Sequence, residues 1–211
     1  FRRDETRRRI LTIVTQARQR GMPVIWRVGP DSTPSNLGRQ LEEGGFKYAD
    51  DALAMAVDLS SFDLEEEVPP HLVIEPVRDD AALREWTAVA AVGFGFPEFA
   101  AGPLFAMHRA IGLDAAQPHQ MYLARLDGTA VGMATLATDC GVATLQNLAT
   151  IPDSRRCGVG TALTRHVMRA GREQGLTTGV LQASSMGHGI YRSTGFREVG
   201  RLFEYSLEPR G

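Results

Sequence analysis

Cysteine is scarce in this chain: 211 residues hold two, Cys140 and Cys157. Two cysteines cannot form a disulfide framework, and this pair lacks metal-ligand spacing. The five histidines are scattered, with neither an HExxH run nor a paired zinc pattern, so no metal is expected. An excess of one charge is also lacking. Net charge is −2, so no whole-protein field draws the chain to nucleic acid or to an anionic membrane. No apolar run approaches the roughly 20 residues of a membrane helix, and no signal peptide is visible. The first residue is Phe1 rather than Met, so anything upstream is unseen. These absences favour a reducing, cytoplasmic location with neither nucleic acid nor membrane as partner.

Hydrophobic residues make up 43% of the chain, enough for one large domain or two small ones. Ile10, Ile13, Val14 and Ala17 recur at helical spacing and predict a helix over 4–20, stopped by Gly21. Its arginines, from Arg2 to Arg20, read as a solvated face. A strand over 23–28, a Ser/Pro turn over 31–36, a helix over 36–43 and a strand over 52–59 follow. Residues 60–70, with three successive glutamates and Pro69-Pro70, are the best linker candidate. Beyond it come a strand at 71–77, a helix at 81–92 and a helical region at 97–111 interrupted at Gly102 and Pro103. Asp127-Gly128 sits between two strand patterns and supplies the positive φ angles of a two-residue type I′ turn. A third strand over 142–151 leads to a helix over 158–174, with Val159, Ala162, Leu163, His166 and Val167 on one stripe. A strand at 178–183, a short helix near 187–193 and closing strands between 198 and 207 complete the chain.

The beginning and end of the sequence run in parallel. Helix, Gly21, strand, turn, helix, Gly45-Phe46 and strand match helix, Gly175, strand, turn, helix, Gly195-Phe196 and strand. The order suggests an internal repeat, with the first copy truncated. Leu41 stands in the first copy where Tyr191 stands in the second, five residues before the phenylalanine.

Leu148-Ala-Thr-Ile-Pro-Asp-Ser-Arg-Arg-Cys-Gly-Val-Gly-Thr161 carries the strongest chemical signal. A strand ends, two arginines follow, then Gly158 and Gly160, then a helix. The first amides of a helix have no internal acceptor and lie at the positive end of its dipole. Glycines let a diphosphate approach them, and Arg155 and Arg156 add charge-assisted donors. A plain strand-to-helix turn would use the same glycines. A dinucleotide fingerprint requires a third glycine where Leu163 stands, and a P-loop requires a Gly-Lys-Ser/Thr that is missing.

Arg155-Arg-Cys-Gly158-Val-Gly160 resembles the R/Q-x-x-G-x-G/A signature of the GNAT superfamily of N-acetyltransferases. Thr150-Ile-Pro152 resembles the end of that family's fourth strand, and Leu181 to Phe196 its second motif. The resemblance covers roughly residues 71–207. It implies a mixed α/β (α+β) GNAT fold: a mainly antiparallel sheet, splayed between the family's strands 4 and 5 and flanked by helices. The implied layout is a degenerate GNAT-like half-domain at 1–60, a linker at 61–70 and a catalytic domain at 71–211.

The resemblance further implies transfer of an acetyl group from acetyl-CoA, as co-substrate, to a primary amine by direct attack in a ternary complex. Leu148, Ala149 and Thr150 fall where family backbone groups pair with pantetheine. Arg155, Arg156, Cys157, Gly158, Val159, Gly160 and Thr161 fall at the pyrophosphate, and Ser184 at a position that often touches the cofactor. Cys157 is expected to have no catalytic role. Tyr191 matches the family's common general acid. A phenol has a pKa near 10 and a thiol near 8.5, so Tyr191 is protonated at neutral pH and can donate to a departing thiolate. The base is open: the family's strand-4 Glu is missing from Thr144-Leu-Gln146-Asn147, and Glu98, His108, His188 or water are the substitutes. Phe94, Phe96, Phe99, Phe105 and Met107 either line an apolar part of the acceptor pocket or pack the core. The acceptor is a small-molecule or peptide amine, and a homodimer is compatible with the sequence. The rival reading is a non-catalytic acyl-CoA-binding or regulatory module, which would keep Leu148 to Thr161 and not need Tyr191.

Overall fold

The computed structural model describes residues 3–63, 68–184 and 186–208, with the side chains of Arg3, Asp4 and Glu98 outside that description. The linker candidate at 61–70 lies partly outside the described residues, at 64–67. Two compact units divide the chain. They are separated within a strand and just inside another, not at the linker: Phe1–Ala54 with Glu198–Gly211, and Met55–Arg197.

The first unit holds α1 (Arg3–Arg20), β1 (Val24–Val28), α2 (Leu37–Glu43), the start of β2 (Lys47–Asp58) and most of β8 (Arg197–Leu207). Its strands lie in the order β1-β8-β2, with β8 antiparallel to β1. Ile10, Val14 and Ala17 of α1 are buried with Leu37, Leu41, Phe46 and Leu207, while Arg7, Arg8, Arg9, Arg18 and Arg20 stay exposed. The arginine face is therefore the outer side of an amphipathic helix. β2 begins five residues earlier than its pattern suggests, because Lys47 to Asp50 are exposed and show no alternation. The region expected to hold closing strands is a single 11-residue strand, β8.

The second unit holds the end of β2, β3 (Leu72–Pro76), α3 (Asp80–Phe94), α4 (Ala101–Ile111), β4 (His119–Leu126) and β5 (Thr129–Asp139). It continues with β6 (Val142–Thr150), α5 (Val159–Glu173), β7 (Thr178–Ala183) and α6 (His188–Ser193). Its strands run β2-β7-β6-β5-β4-β3. Successive pairs from β3 to β6 are antiparallel, and β6 with β7 is parallel, as the mixed α/β expectation requires. Asp127 and Gly128 both have positive φ, 49° and 79°, and make the hairpin turn between β4 and β5. α4 runs unbroken through Gly102 and Pro103. The expected interruption disappears because the helix starts at Ala101, which puts Pro103 in the first turn, where an amide has no helical acceptor to lose.

The two ends of this architecture use the same local hydrogen bonds. Met22 N–H reaches Ala17 O at 3.1 Å and Leu176 N–H reaches Gly171 O at 3.2 Å, after Gly21 and Gly175 with φ of 61° and 83°. Phe46 N–H reaches Leu41 O and Phe196 N–H reaches Tyr191 O, both at 3.0 Å, after Gly45 and Gly195. Each is a helix C-terminus closed by a left-handed glycine.

α3 covers one face of the second unit's sheet, burying Leu83, Trp86, Val89 and Ala90 against Met121, Leu123, Met133 and Ala149. α5 covers the other. A β-carbon at Gly132 would lie 2.7 Å from a Val159 methyl, and one at Gly171 would lie 2.6 Å from Ala143 Cβ. On the buried side of α4, His108 stacks on His119 at 5.6 Å and meets Trp86 edge-on at 4.6 Å. His108 Nδ1 and His119 Nε2 are buried without a partner among the described residues. Burial holds both rings below the usual histidine pKa, and for His108 the neighbouring His119 adds to the effect. Because the folded state resists the proton and the unfolded chain takes it up near pH 6.5, stability is full above that pH and is lost as pH falls below it. Urea midpoints are expected to fall between pH 7 and 5.5, with a flatter profile in His108→Phe/His119→Phe; a midpoint constant across that window would contradict this.

Candidate active site

The site starts where a ladder of hydrogen bonds stops. β6 pairs with β7 from Val142 opposite Thr178 to Leu145 opposite Leu181, and no further pair joins them. β6 nevertheless continues to Thr150, held on its other edge by β5. On that edge Thr135 faces Gln146 and Met133 faces Ala149, so Asn147 and Leu148 together oppose Ala134. This is a β-bulge, with Asn147 at φ 50°, and bulges re-aim a strand and end its pairing. Leu148, Ala149 and Thr150 therefore line a strand edge that lacks a neighbour on the β7 side. Ala149 is fixed from behind: a β-carbon at Gly93, in the last turn of α3, would come 2.7 Å from Ala149 Cβ.

The loop after β6 aims the chain into α5. Arg156 and Gly158 both take left-handed backbone, at φ 63° and 80°. Gly158 is the N-cap and no side chain caps the helix. Ala162 N–H is the first to reach Gly158 O, at 3.0 Å, so the amides of Val159, Gly160 and Thr161 precede the first helical bond. Turns of this kind and helix starts both make concavities that favour anions. Gly160 has a packing duty as well, because a β-carbon there would lie 3.2 Å from Ile190 Cδ1 and 3.8 Å from a Leu148 methyl. Leu148, the α5 start and α6 thus meet at one point.

The two arginines separate in role. Arg155 donates through Nε to Thr150 O and through a terminal nitrogen to Gly93 O, both at 3.2 Å. It ties the end of β6 to the end of α3. Arg156 is exposed and makes no hydrogen bond or ion pair among the described residues. Cys157 is exposed and free. Ser184 Oγ accepts from Gly187 N–H at 3.2 Å and serves the turn that opens α6.

Tyr191 projects from α6 with its ring buried, 7% exposed, and packed edge-on to Phe196 at 6.1 Å. A β-carbon at Gly187 would lie 2.8 Å from that ring. The hydroxyl has no hydrogen-bond partner among the described residues and is not among the sealed polar atoms. Burial pushes its pKa up to about 12. His166 stays on α5's inner side, against the Tyr122 ring at 4.9 Å. Of the three substitute bases, His108 is sealed in the core at 3% exposure, His188 opens α6, and the Glu98 side chain lies outside the described residues. Gln146 faces the α3 side, since it opposes Thr135, which in turn opposes Met121. The Arg155–Gly93 tie was not legible in the sequence; its only signal was a glycine in the apolar last turns of α3.

Among the described residues, no group of three His, Cys, Asp or Glu is placed to hold a metal ion, and no helix is long and apolar enough to cross a membrane. The family described as acetyltransferase (GNAT) domain matches residues 117–198, which contain the bulge, the α5 start and Tyr191. No curated protein matches the sequence. A GCN5-related N-acetyltransferase from Kribbella flavida is similar in structure with a TM-score of 0.76 at 19% identity, over 100% of this chain and 78% of that one. Another from Sphaerobacter thermophilus gives 0.70 at 20% identity over 90% of this chain, which spans 61% of that protein. A tandem GNAT protein from the clavulanic acid biosynthesis pathway, without AcCoA, gives 0.70 at 16% identity, over 100% and 71% of the two chains. At such identities the likeness is one of fold. The match to the acetyltransferase (GNAT) domain family covers residues 117–198, and these lie on that shared fold and on the site it forms.

Proposed function

We propose that the chain transfers an acetyl group from acetyl-CoA to a primary amine, at the gap between β6 and β7. The observation that carries this reading is the junction of three features: a strand edge left open from Gln146 to Thr150, spare amides at Val159 to Thr161, and a buried tyrosine with an unpartnered hydroxyl on α6. The residues fit the co-substrate. Peptide groups of Leu148 to Thr150 suit the amides of pantetheine, and the α5 start with Arg156 suits a diphosphate. Bound there, acetyl-CoA supplies a thioester carbonyl open to attack and a sulfur able to leave as thiolate.

Tyr191 is held as a phenol at every pH in which an amine acceptor is reactive. Full transfer of its proton to a thiolate of pKa about 8.5 would be uphill by about 5 kcal/mol. Tyr191 therefore acts by donating a hydrogen bond to the developing negative charge and relaying a proton, which the amine nitrogen releases as the amide forms. No carboxylate stands on β6, where Gln146 takes the acceptor-facing position. The amine then has to arrive neutral, with water taking its proton beforehand.

The first unit is read as a degenerate copy without a second site. Support comes from the matching hydrogen bonds at Gly21 and Gly175 and at Phe46 and Phe196, and from Leu41 in the place of Tyr191. The likeness to a protein named as a tandem GNAT agrees with this.

Tyr191→Phe is expected to lower kcat about 10²- to 10³-fold while acetyl-CoA affinity stays within twofold; an unchanged kcat would remove Tyr191 from the mechanism, and acetyl-CoA binding with no turnover of any amine would favour the non-catalytic acyl-CoA-binding reading. Without a dedicated base, the rising limb of kcat/KM against pH should follow the pKa of whichever amine is supplied. A limb fixed at one pH across amines of different basicity would reveal a base on the protein.

A further inference from the structure

We infer that the acceptor is a monoamine bearing an aromatic or bulky aliphatic group, held on an apolar surface where α3 turns into α4; this rests on the acetyl-transfer reading above. The surface is unusual in its exposure. Phe94, Phe96, Phe99 and Met107 are 44%, 46%, 80% and 52% exposed, although each would gain by burial. Phe105, equally close in sequence, packs on the core beneath the Arg84 guanidinium, 4.6 Å from its ring centroid. The sequence left open whether these residues line a pocket or fill the core, and the structure divides them. Gly95, at φ 69°, ends α3 and turns the chain back, and it leaves the Phe94 and Phe96 rings 5.5 Å apart.

This surface adjoins the reaction site directly. Gly93 immediately precedes Phe94, backs onto Ala149 and Thr150, and is tied to Thr150 through Arg155. It also lies on the side from which a second reactant has to come. α5, whose start suits the diphosphate, packs on one face of the sheet, while α3 packs on the opposite face with Gln146. An amine attacking the carbonyl from the face away from the donor's own chain therefore meets the α3–α4 side.

Charge narrows the class further. From Thr87 to Gly112 the only Asp, Glu, Lys or Arg residues are Glu98 and Arg109, and Arg109 is bound to Asp80 at 2.5 Å. On β6 the groups on the acceptor face are the neutral Thr144 and Gln146. Glu98 is then the one acidic residue of this stretch, so a polyamine or a multiply charged amine would lack carboxylates for its further ammonium groups, whereas one apolar body with one amine is matched.

The experiment measures thiol release from acetyl-CoA by the full chain with phenethylamine, ethanolamine and spermidine, alongside calorimetric binding of acetyl-CoA. Expected is a kcat/KM, per neutral amine, at least about tenfold higher for phenethylamine than for ethanolamine. In Phe96→Ser/Phe99→Ser that ratio should fall toward one while acetyl-CoA still binds, which shows the variant is folded. Equal or reversed ranking in a chain that binds acetyl-CoA and turns over overturns this inference and leaves the transfer reading standing. So does a double variant that loses only its use of hexanoyl-CoA, which would assign the surface to the donor. A change of oligomeric state with the amine ranking intact would assign it to self-contact and likewise overturn it. Absence of acetyl-CoA binding overturns both readings.

Discussion

β6 is hydrogen-bonded on one edge throughout and on the other only as far as Leu145. The bulge at Asn147 and Leu148 turns the rest of the strand away from β7, and peptide groups that a sheet would pair are left to another partner. Everything near the site serves that opening. Gly93 and Arg155 hold Ala149 and Thr150 from the α3 side, and β5 holds them from the next strand. α5 and α6 close over Leu148 at Gly160 and Ile190. With these supports β6 runs on past Leu145 without pairing to β7.

The same constraint explains the division of labour among polar groups. Spare amides at the α5 start need an anion or water, and Arg156 stands near with no competing partner among the described residues. Arg155 is spent on two carbonyls and so contributes rigidity. Tyr191 is kept neutral by burial, which suits a hydrogen-bond donor and not a nucleophile. The α3–α4 side, proposed for the acceptor, exposes Phe94, Phe96, Phe99 and Met107.

Much of this was legible in the sequence because it rests on local rules. Asp127-Gly128 announced its hairpin, the apolar stripe announced α5, and the Gly158-Val-Gly160 loop announced a helix start. Features that depend on distant partners were not legible. Only the observed register shows that Asn147 lies in a bulge, and only packing shows that Phe105 goes in while Phe99 stays out. β2 begins at Lys47 in a run without alternation, so its first half left no pattern to read. Gly102-Pro103 looked like a break because proline disrupts helix interiors; its place in a first turn depends on where the helix begins.

Amide hydrogen exchange of the full chain, with and without saturating acetyl-CoA, tests the central claim directly. Added protection is expected in two stretches, 146–150 and 156–161, and none before Asp58. Protection confined to the first unit, protection at sites in both halves, or no change at saturating ligand would contradict a single acetyl-CoA site in the gap between β6 and β7.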